Sequence, residues 1–257
     1  MSKPNPTEGR QPDPILCLVV DRSAVRGDLA SCVAAAVGAG VDWVQIRERN
    51  LEGAALLAHA EEIDLAARQA AAQRGGRVEI FVNRRIDIAL AIGADGVQLG
   101  FDAVDPPTAR RLLWTDAQIE ENGRTEANGK TKANGRAEAN VKIGISAHHP
   151  DEIRAAPPEV DYAQLAPISQ PLSKPHAGPY LGVRAVAEAA RYGIPVIAQG
   201  GITAANATAI AAAGAAGIAV TGAILSAPDP ASATRALRAA LAAAPRNQPG
   251  TSPTTPL

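Results

Sequence analysis

A unit made of a helix end, an acidic turn and a short apolar run occurs three times in this chain. The copies are AGVDWVQI at 39–46, IGADGVQLG at 92–100 and PEVDYAQL at 158–165, and each carries a Gln inside the apolar run. A fourth segment, AGAAGIAVTG at 213–222, has the same outline without the Asp. Repetition of one helix–strand unit predicts a fold built from successive β–α pairs.

Apolar runs of strand length occur eight times, and most are separated by Ala- and Leu-rich segments with helical spacing. The predicted strands are 15–20, 42–46, 78–82, 95–99, 141–145, 161–165, 194–198 and 216–220. Eight such units predict an α/β fold of the closed (β/α)8 TIM-barrel type. The alternative is an open doubly wound sheet, but the glycine-rich loop that usually follows its first strand is absent from VVDRSAVRGD at 19–28.

Three segments depart from this pattern. Residues 1–13 and 245–257 are rich in Pro, Ser, Thr and Asn and are predicted to be disordered tails. Residues 116–140 repeat an Ala-Asn-Gly unit with charges of alternating sign, which predicts a low-complexity insertion on the surface. The barrel domain is therefore expected over residues 14–244.

The overall charge and hydropathy limit the expected partners. The formal net charge is −1, which gives no reason to expect nucleic acid or a membrane surface as a partner. The polar N-terminal segment has no apolar signal region, and no run of about 18 apolar residues occurs. A cytoplasmic protein is the resulting expectation, and the sequence leaves the oligomeric state open.

The second predicted strand ends in an alternating set of polar side chains. Gln45, Arg47 and Arg49 are two positions apart, so they share one face of an extended strand end. Strand ends of this kind form the ligand-binding face of a barrel. Two guanidiniums on one face repel each other unless an anion joins them, and this predicts an anion larger than a single phosphate. The alternative is that one Arg points to solvent.

Glycines follow the last two predicted strands. The segments QGGIT at 199–203 and VTG at 220–222 each lead into a helical pattern, and Thr203 is the predicted N-cap of the first helix. Backbone N–H groups at such turns can approach an anion, and a helix N-terminus adds a favourable dipole. A phosphate site is predicted here, with tight turns alone as the alternative. The replacement Gly201→Val is expected to block the anion and leave the barrel folded.

The loop SQPLSKPHAGP at 169–179 is long enough to fold over the same mouth. It carries Lys174, which is either a further cation for a bound anion or an ordinary solvated lysine.

These strand ends, taken in order, resemble a known family. From about residue 14 to residue 243, the chain resembles the thiamine phosphate synthases and their relatives, the thiazole tautomerases. The matching segments are QIRER at 45–49, Asn83-Arg84, GADGVQLG at 93–100, GISAH at 144–148, APISQPLSK at 166–174 and GGIT at 200–203.

The resemblance implies a transferase of thiamine biosynthesis. Such an enzyme couples an aminopyrimidine methyl diphosphate to a thiazole phosphate and releases pyrophosphate, through a pyrimidine methyl cation that the thiazole nitrogen captures. The implied catalytic residues are Arg47, Arg49, Ser146, Lys174 and His148. The implied substrate-binding residues are Gln45, Asn83, Arg84, Ser173, Gly200, Gly201, Thr221 and Gly222.

Several positions depart from the synthase pattern. The resemblance implies Mg²⁺ held by an Asp after the third-strand Asn and by an Asp after the fourth strand. Here these positions are Arg84 and Ala103, and Asp102, one residue early, is the remaining candidate ligand. The implied Mg²⁺ site is therefore weakened or lost. The sequence does not determine which way Arg84 points.

The other departures are smaller. The second-strand Lys of the pattern is Arg49, and the two loop Thr positions are Pro171 and Ser173.

Three hypotheses follow. The first is a divergent synthase in which Arg84 replaces part of the charge of the metal. The second is a thiazole tautomerase-like isomerase that needs no Mg²⁺ and uses His148 as its acid–base group. The third is a non-catalytic barrel that binds a phosphorylated ligand.

Overall fold

Eight parallel strands close into one barrel. The computed structural model describes residues 13–25, 27–113, 141–170 and 179–245. Each strand pairs with the next along the chain, and the eighth pairs with the first, so the TIM-barrel prediction is confirmed and the open sheet is excluded. The strands are β1 Ile15–Val20, β2 Trp43–Ile46, β3 Glu79–Asn83, β4 Gly96–Leu99, β5 Lys142–Ala147, β6 Tyr162–Leu165, β7 Val196–Gln199 and β8 Gly217–Val220.

Helices follow the strands and pack on the outside of the barrel. They are α1 Leu29–Gly38, α2 Gly53–Gln73, α3 Ile86–Ala91, α4 106–113, α5 Pro150–Arg154, α6 Gly182–Ala189, α7 Ala204–Ala212, α8 Gly222–Leu225 and α9 Pro230–Ala242. The predicted insertion at 116–140 and almost all of the two predicted tails lie outside the described residues. None of the described helices combines the length and the apolar character needed to cross a bilayer.

The repeated Asp joins neighbouring strands at their amino-terminal ends. Each copy lies directly before an even-numbered strand and accepts the backbone N–H of a residue near the start of the preceding strand. The pairs are Asp42 with Leu16, Asp95 with Ile80 and Asp161 with Ile143, at 2.8, 2.9 and 2.7 Å. Each carboxylate also binds at least one Arg: Arg238 for Asp42, Arg68 and Arg77 for Asp95, and Arg110 for Asp161. The acidic turn that defines the repeat is therefore a strand-to-strand clamp.

Beneath the carboxyl ends of the strands, the interior of the barrel is filled by side chains. An interior cluster comprises Cys17, Val19, Trp43, Phe81, Tyr162, Ile197 and Ala219. Glycines make room for two of these rings. A Cβ on Gly144 would lie 2.1 Å from the Tyr162 ring, and a Cβ on Gly96 would lie 2.3 Å from the Phe81 ring. Because this level is packed, a ligand can enter only at the carboxyl ends of the strands.

Candidate active site

The described candidate residues all lie at the carboxyl ends of the strands. They are Gln45, Arg47, Arg49, Asn83, Arg84, Asp102, Ser146, His148, Gly200, Gly201, Thr221 and Gly222. Ser173 and Lys174 are outside the described residues, so their predicted roles remain predictions. The segment before them, up to Gln170, packs against the turn that follows β7.

A layer of amide side chains forms the floor of this mouth. Gln45 donates to the Asn83 Oδ1 at 3.2 Å and accepts from the Gln164 Nε2 at 2.5 Å. Gln98 donates to the Ser146 Oγ at 3.2 Å, and its buried Oε1 has no hydrogen-bond partner within the described parts of the chain. A buried, unpaired amide oxygen below the mouth is suited to a ligand donor.

Sequence reasoning missed Gln98 and Gln164 as site residues. The signal was present, because each repeat unit carries a Gln three residues after its Asp. Alternation along a strand turns that Gln inward in every copy, two positions beyond an interior residue such as Trp43 or Tyr162. The repeat therefore predicts Gln45, Gln98 and Gln164 together once the strand register is known.

Arginine side chains gather at the ends of β2 and β3. Arg47 is half-buried, and its Nη1 lies 4.0 Å from the Asp21 Oδ2. Burial lowers the pKa of Arg47, and the positive charges of Arg49 and Arg84 lower it further, against the opposing effect of Asp21. β2 and β3 are neighbouring strands with Ile46 opposite Val82, so Arg47 and Arg84 follow adjacent strand ends.

Glu48 lies between Arg47 and Arg49, just after the end of β2, and its side chain points toward α2. Its carboxylate accepts from the Arg22 backbone N–H at 2.9 Å and lies 3.4 Å from the His59 Nε2. Glu48 therefore faces α2, while Arg47 is half-buried near Asp21 and Arg49 is exposed. That Arg47 and Arg49 face one anion stays a prediction.

Arg84 lies across the end of β4 and binds Asp102. Its backbone has a φ of 67°, which is uncommon for a residue with a side chain, and its N–H donates to the Gln98 carbonyl at 2.9 Å. The Arg84 Nη2 lies 2.6 Å from the Asp102 Oδ2. The alkyl part of its side chain covers Gly100, where a Cβ would lie 3.8 Å from the Arg84 Cγ.

The glycine turns after β7 and β8 lie farther round the barrel. Gly200 and Gly201 have φ values of 94° and 63°, and a Cβ on Gly201 would lie 2.3 Å from the Gln170 carbonyl oxygen. The expectation that Gly201→Val leaves the barrel folded is therefore wrong, because the side chain would collide with backbone. Gly222 begins α8, and a Cβ there would meet only the Ser226 Oγ, at 3.6 Å.

The predicted N-cap of α7 is confirmed. Thr203 precedes the helix, and the Asn206 Oδ1 accepts the Thr203 N–H at 2.9 Å. The Asn206 Nδ2 donates to the Gly201 carbonyl at 2.9 Å. These bonds fix the direction in which the turn after β7 enters the helix.

His148 lies at the end of β5 with a defined ring orientation. Its Nδ1 lies 2.7 Å from the Ala166 carbonyl oxygen, so Nδ1 carries the hydrogen and Nε2 is the acceptor in the neutral ring. Phe101 stacks on the imidazole at 4.7 Å and remains 64% exposed. Sequence reasoning did not select Phe101, which stands where the resembling family has Gln.

Comparison with known proteins identifies the family of this chain. The profile of the thiamine monophosphate synthase family matches residues 16–120 and 125–224. The chain belongs to that family. A thiamine-phosphate synthase of Roseiflexus sp. (strain RS-1) is 32% identical over 90% of this chain and 86% of its own length. One from Laribacter hongkongensis (strain HLHK9) is 33% identical over 88% of this chain and 91% of its own length.

Solved structures show the same relationship. Thiamine phosphate pyrophosphorylase from Pyrococcus furiosus superposes with a TM-score of 0.67 at 25% identity, covering 89% of this chain and 95% of that protein. A 3-hexulose-6-phosphate synthase superposes with a TM-score of 0.56 at 19% identity, which shows the shared barrel alone.

The metal site that the thiamine monophosphate synthase family implies does not fit the residues present here. Arg84 occupies the position of one expected carboxylate, and its guanidinium binds the neighbouring Asp102. Among the described residues, no group of three or more His, Cys, Asp or Glu side chains is arranged to hold a metal ion. A guanidinium in hydrogen-bond contact with the remaining carboxylate opposes Mg²⁺ binding at that carboxylate.

Proposed function

We propose that this chain is a transferase that couples an aminopyrimidine methyl diphosphate to a thiazole phosphate and releases pyrophosphate. The observation that carries the proposal is the placement of Arg47, Arg49 and Arg84 directly after the paired strands β2 and β3. Three guanidiniums above a layer of amides suit a diphosphate attached to a hydrogen-bonding ring. Family membership supports the same reaction.

The chemistry is a substitution at one carbon. The bond between the pyrimidine methylene carbon and the diphosphate oxygen breaks, and its electron pair leaves with the diphosphate. The lone pair of the thiazole nitrogen then forms the new carbon–nitrogen bond, so the positive charge ends on the thiazolium ring. No oxidant, reductant or proton acceptor is required, and the chief demand on the protein is positive charge where the leaving group becomes more negative.

The residues divide into two groups around the mouth. Arg47 and Arg49 bind the diphosphate, and Lys174 adds to their charge from the loop after β6. The amides of Gln45 and Asn83 bind the diphosphate or the edge of the pyrimidine, with Ser146 beside the ring.

The turns after β7 and β8 bind the other substrate. Gly200 and Gly201 in the first turn, with Thr221 and Gly222 in the second, place backbone N–H groups around the phosphate of the thiazole. The two substrates are phosphorylated small molecules, and they bind on different parts of one barrel face.

A direct assay tests this function. The purified chain is mixed with both substrates, with Mg²⁺ or with EDTA, and thiamine phosphate and pyrophosphate are quantified. We expect both products in equal amounts in at least one condition. Absence of thiamine phosphate in both conditions would exclude the proposal.

A thiazole tautomerase-like isomerase is a second candidate, which the orientation of His148 favours. Its hydrogen bond to the Ala166 carbonyl leaves Nε2 as the acceptor of the neutral ring, as an acid–base group requires. Isomerisation of a thiazole phosphate by the wild type, lost in His148→Ala, would support this candidate. An unchanged isomerisation rate in the variant would remove His148 from the role.

A further inference from the structure

The mouth contains a guanidinium where the family resemblance places a metal-binding carboxylate. We propose that Arg84 takes over the charge-neutralising role of a divalent ion, so that this chain binds diphosphate directly through arginine. The inference deepens the proposed function and rests on it for its catalytic meaning. The binding event itself is independent of catalysis and can be measured alone.

The position of Arg84 is fixed by its backbone rather than by its ion pair. The Arg84 N–H donates to the Gln98 carbonyl on the neighbouring strand, and the φ of 67° turns the chain sharply after Asn83. The side chain then lies across Gly100, at the end of β4. A residue other than Gly in this conformation costs about 1–3 kcal/mol, which is consistent with a functional constraint on where the side chain points.

Asp102 is a partner that a diphosphate can displace. The side chains of Arg84 and Asp102 are 48% and 65% exposed, and ion pairs with that exposure contribute only about 0–1 kcal/mol. A diphosphate offers several charged oxygens and can bind a guanidinium through two of them. Exchange of Asp102 for the ligand is therefore favourable.

Arg84 belongs to the same electrostatic group as Arg47. Arg47 follows β2 and Arg84 follows β3, and these strands pair with Ile46 opposite Val82, so the two residues lie on adjacent strand ends; the charge of Arg84 also contributes to the lowered pKa of Arg47. Asp21 and Asp102 lie at the two sides of this group and do not match its charge in number. A polyanion bound among the three guanidiniums relieves their repulsion. The guanidiniums in turn neutralise the charge of the diphosphate, as the Mg²⁺ implied by the family resemblance would do.

Binding of inorganic pyrophosphate tests the proposal. Titration calorimetry is carried out in EDTA and in Mg²⁺ with the wild type, with Arg84→Asn and with Arg84→Lys. Asn tolerates the left-handed backbone better than Arg does, so Arg84→Asn removes the charge without adding strain. Arg85→Asn is the matched control, because Arg85 is the next residue and binds Asp87 instead.

We expect the wild type to bind pyrophosphate in EDTA. Arg84→Asn is expected to weaken that binding at least about tenfold. Arg84→Lys should retain part of the affinity, and Arg85→Asn should match the wild type. Pyrophosphate binding that requires Mg²⁺ in the wild type, or equal effects of Arg84→Asn and Arg85→Asn, would overturn the proposal.

The variant Asp102→Asn distinguishes two roles of Asp102, because the two roles predict opposite effects on pyrophosphate binding. If Asp102 is the displaceable partner of Arg84, its removal strengthens binding in EDTA by about two- to fivefold, because the competing ion pair is weak. If Asp102 is a metal ligand, the variant instead weakens binding in Mg²⁺, and the proposal fails. Pyrophosphate binding as expected without formation of thiamine phosphate would contradict the proposed function and leave the arginine site standing.

Discussion

Arg84 and Gly201, at opposite parts of the mouth, both have left-handed backbone conformations. The sequence identifies both as site candidates, but neither conformation can be predicted from it. For Gly201, a glycine-rich turn is equally consistent with close packing and with anion binding. For Arg84, the direction of the side chain depends on the hydrogen bond to Gln98, which forms only when β3 and β4 are adjacent.

Replacement of Gly201 by Ala is expected to destabilise the protein. The added Cβ would lie within 2.6 Å of the Ser169 and Gln170 backbone, and the φ of 63° is unfavourable for Ala. The expected loss is about 2 kcal/mol or more in the free energy of unfolding, measured by urea denaturation.

Gly222→Ala is the control for that measurement. Its Cβ would make only an ordinary contact at 3.6 Å, so the unfolding transition should not move. If the turn before α8 binds the thiazole phosphate, this variant should raise the KM for that substrate with no loss of stability. Equal stabilities for the two variants would contradict the packing argument at Gly201.

Removal of Arg47 is expected to reduce coupling severely. Arg47 is the half-buried member of the arginine group, and loss of a charge that stabilises the leaving diphosphate should lower kcat/KM by about 100-fold or more. The comparison is Arg47→Met with Arg77→Met in a steady-state assay of thiamine phosphate. Arg77 is exposed, precedes β3 at the opposite end of the barrel and binds Asp95, so its variant should keep the wild-type rate. Equal losses of kcat/KM in both variants would show that the effect at Arg47 does not depend on its place in the arginine group.

At the scale of the elements, the sequence predicts the strands well because their pattern is local. Most strands begin within about a residue of the predicted position, since a buried parallel strand is a short apolar run with clear limits. The third repeat Asp and its Arg partner are 51 residues apart, so that contact depends on which βα units pack side by side. Gln98 and Gln164 were missed as site residues for the same reason.

The clamp at Asp95 should make stability depend on pH. Burial alone would raise the pKa of Asp95, but the Ile80 N–H, Arg68 and Arg77 hold it below its ordinary value. A carboxyl with a lowered folded-state pKa contributes stability above its unfolded pKa of about 3.9, and that contribution is lost as the pH falls through the folded value. Asp95→Asn should cost about 2 kcal/mol near neutral pH, and the difference should shrink below about pH 4.

The measurement for Asp95 is urea unfolding between about pH 3 and pH 7. Glu62→Gln is the control, because Glu62 is exposed on α2. A constant difference between wild type and Asp95→Asn across this range would contradict the clamp as the source of the pH dependence.

At the scale of the whole molecule, closure of the barrel makes the chain tolerant of an added segment between β4 and β5. These strands pair from Gly96 with Lys142 onward, and Ala109 and Leu113 of α4 are buried. Residues 116–140 come between α4 and β5 in the sequence and contain no predicted site residue. Loop length has only a weak effect on stability, about 0.6 kcal/mol for each doubling.

Deletion of residues 116–140, with a short Gly-Ser connection in their place, should leave the protein folded and active. We expect kcat/KM within about twofold of the wild type and a melting temperature changed by only a few degrees, since loop-closure terms are small. Differential scanning calorimetry and the coupling assay check this. Loss of activity in a variant that still melts cooperatively would assign the segment a role at the mouth.

The fourth repeat unit differs from the other three at both of its polar positions. Ala216 stands in place of the Asp and Ala219 in place of the inward Gln, so β8 carries a methyl group at the repeat position where β2, β4 and β6 carry amides. The barrel thus contains four copies of the unit, and the fourth lacks both the Asp and the Gln. A ligand bound on the amide layer therefore meets hydrogen-bonding side chains from β2, β4 and β6 and none from the matching position of β8. A ring with one polar edge and one apolar edge is therefore expected to bind on this layer in one orientation.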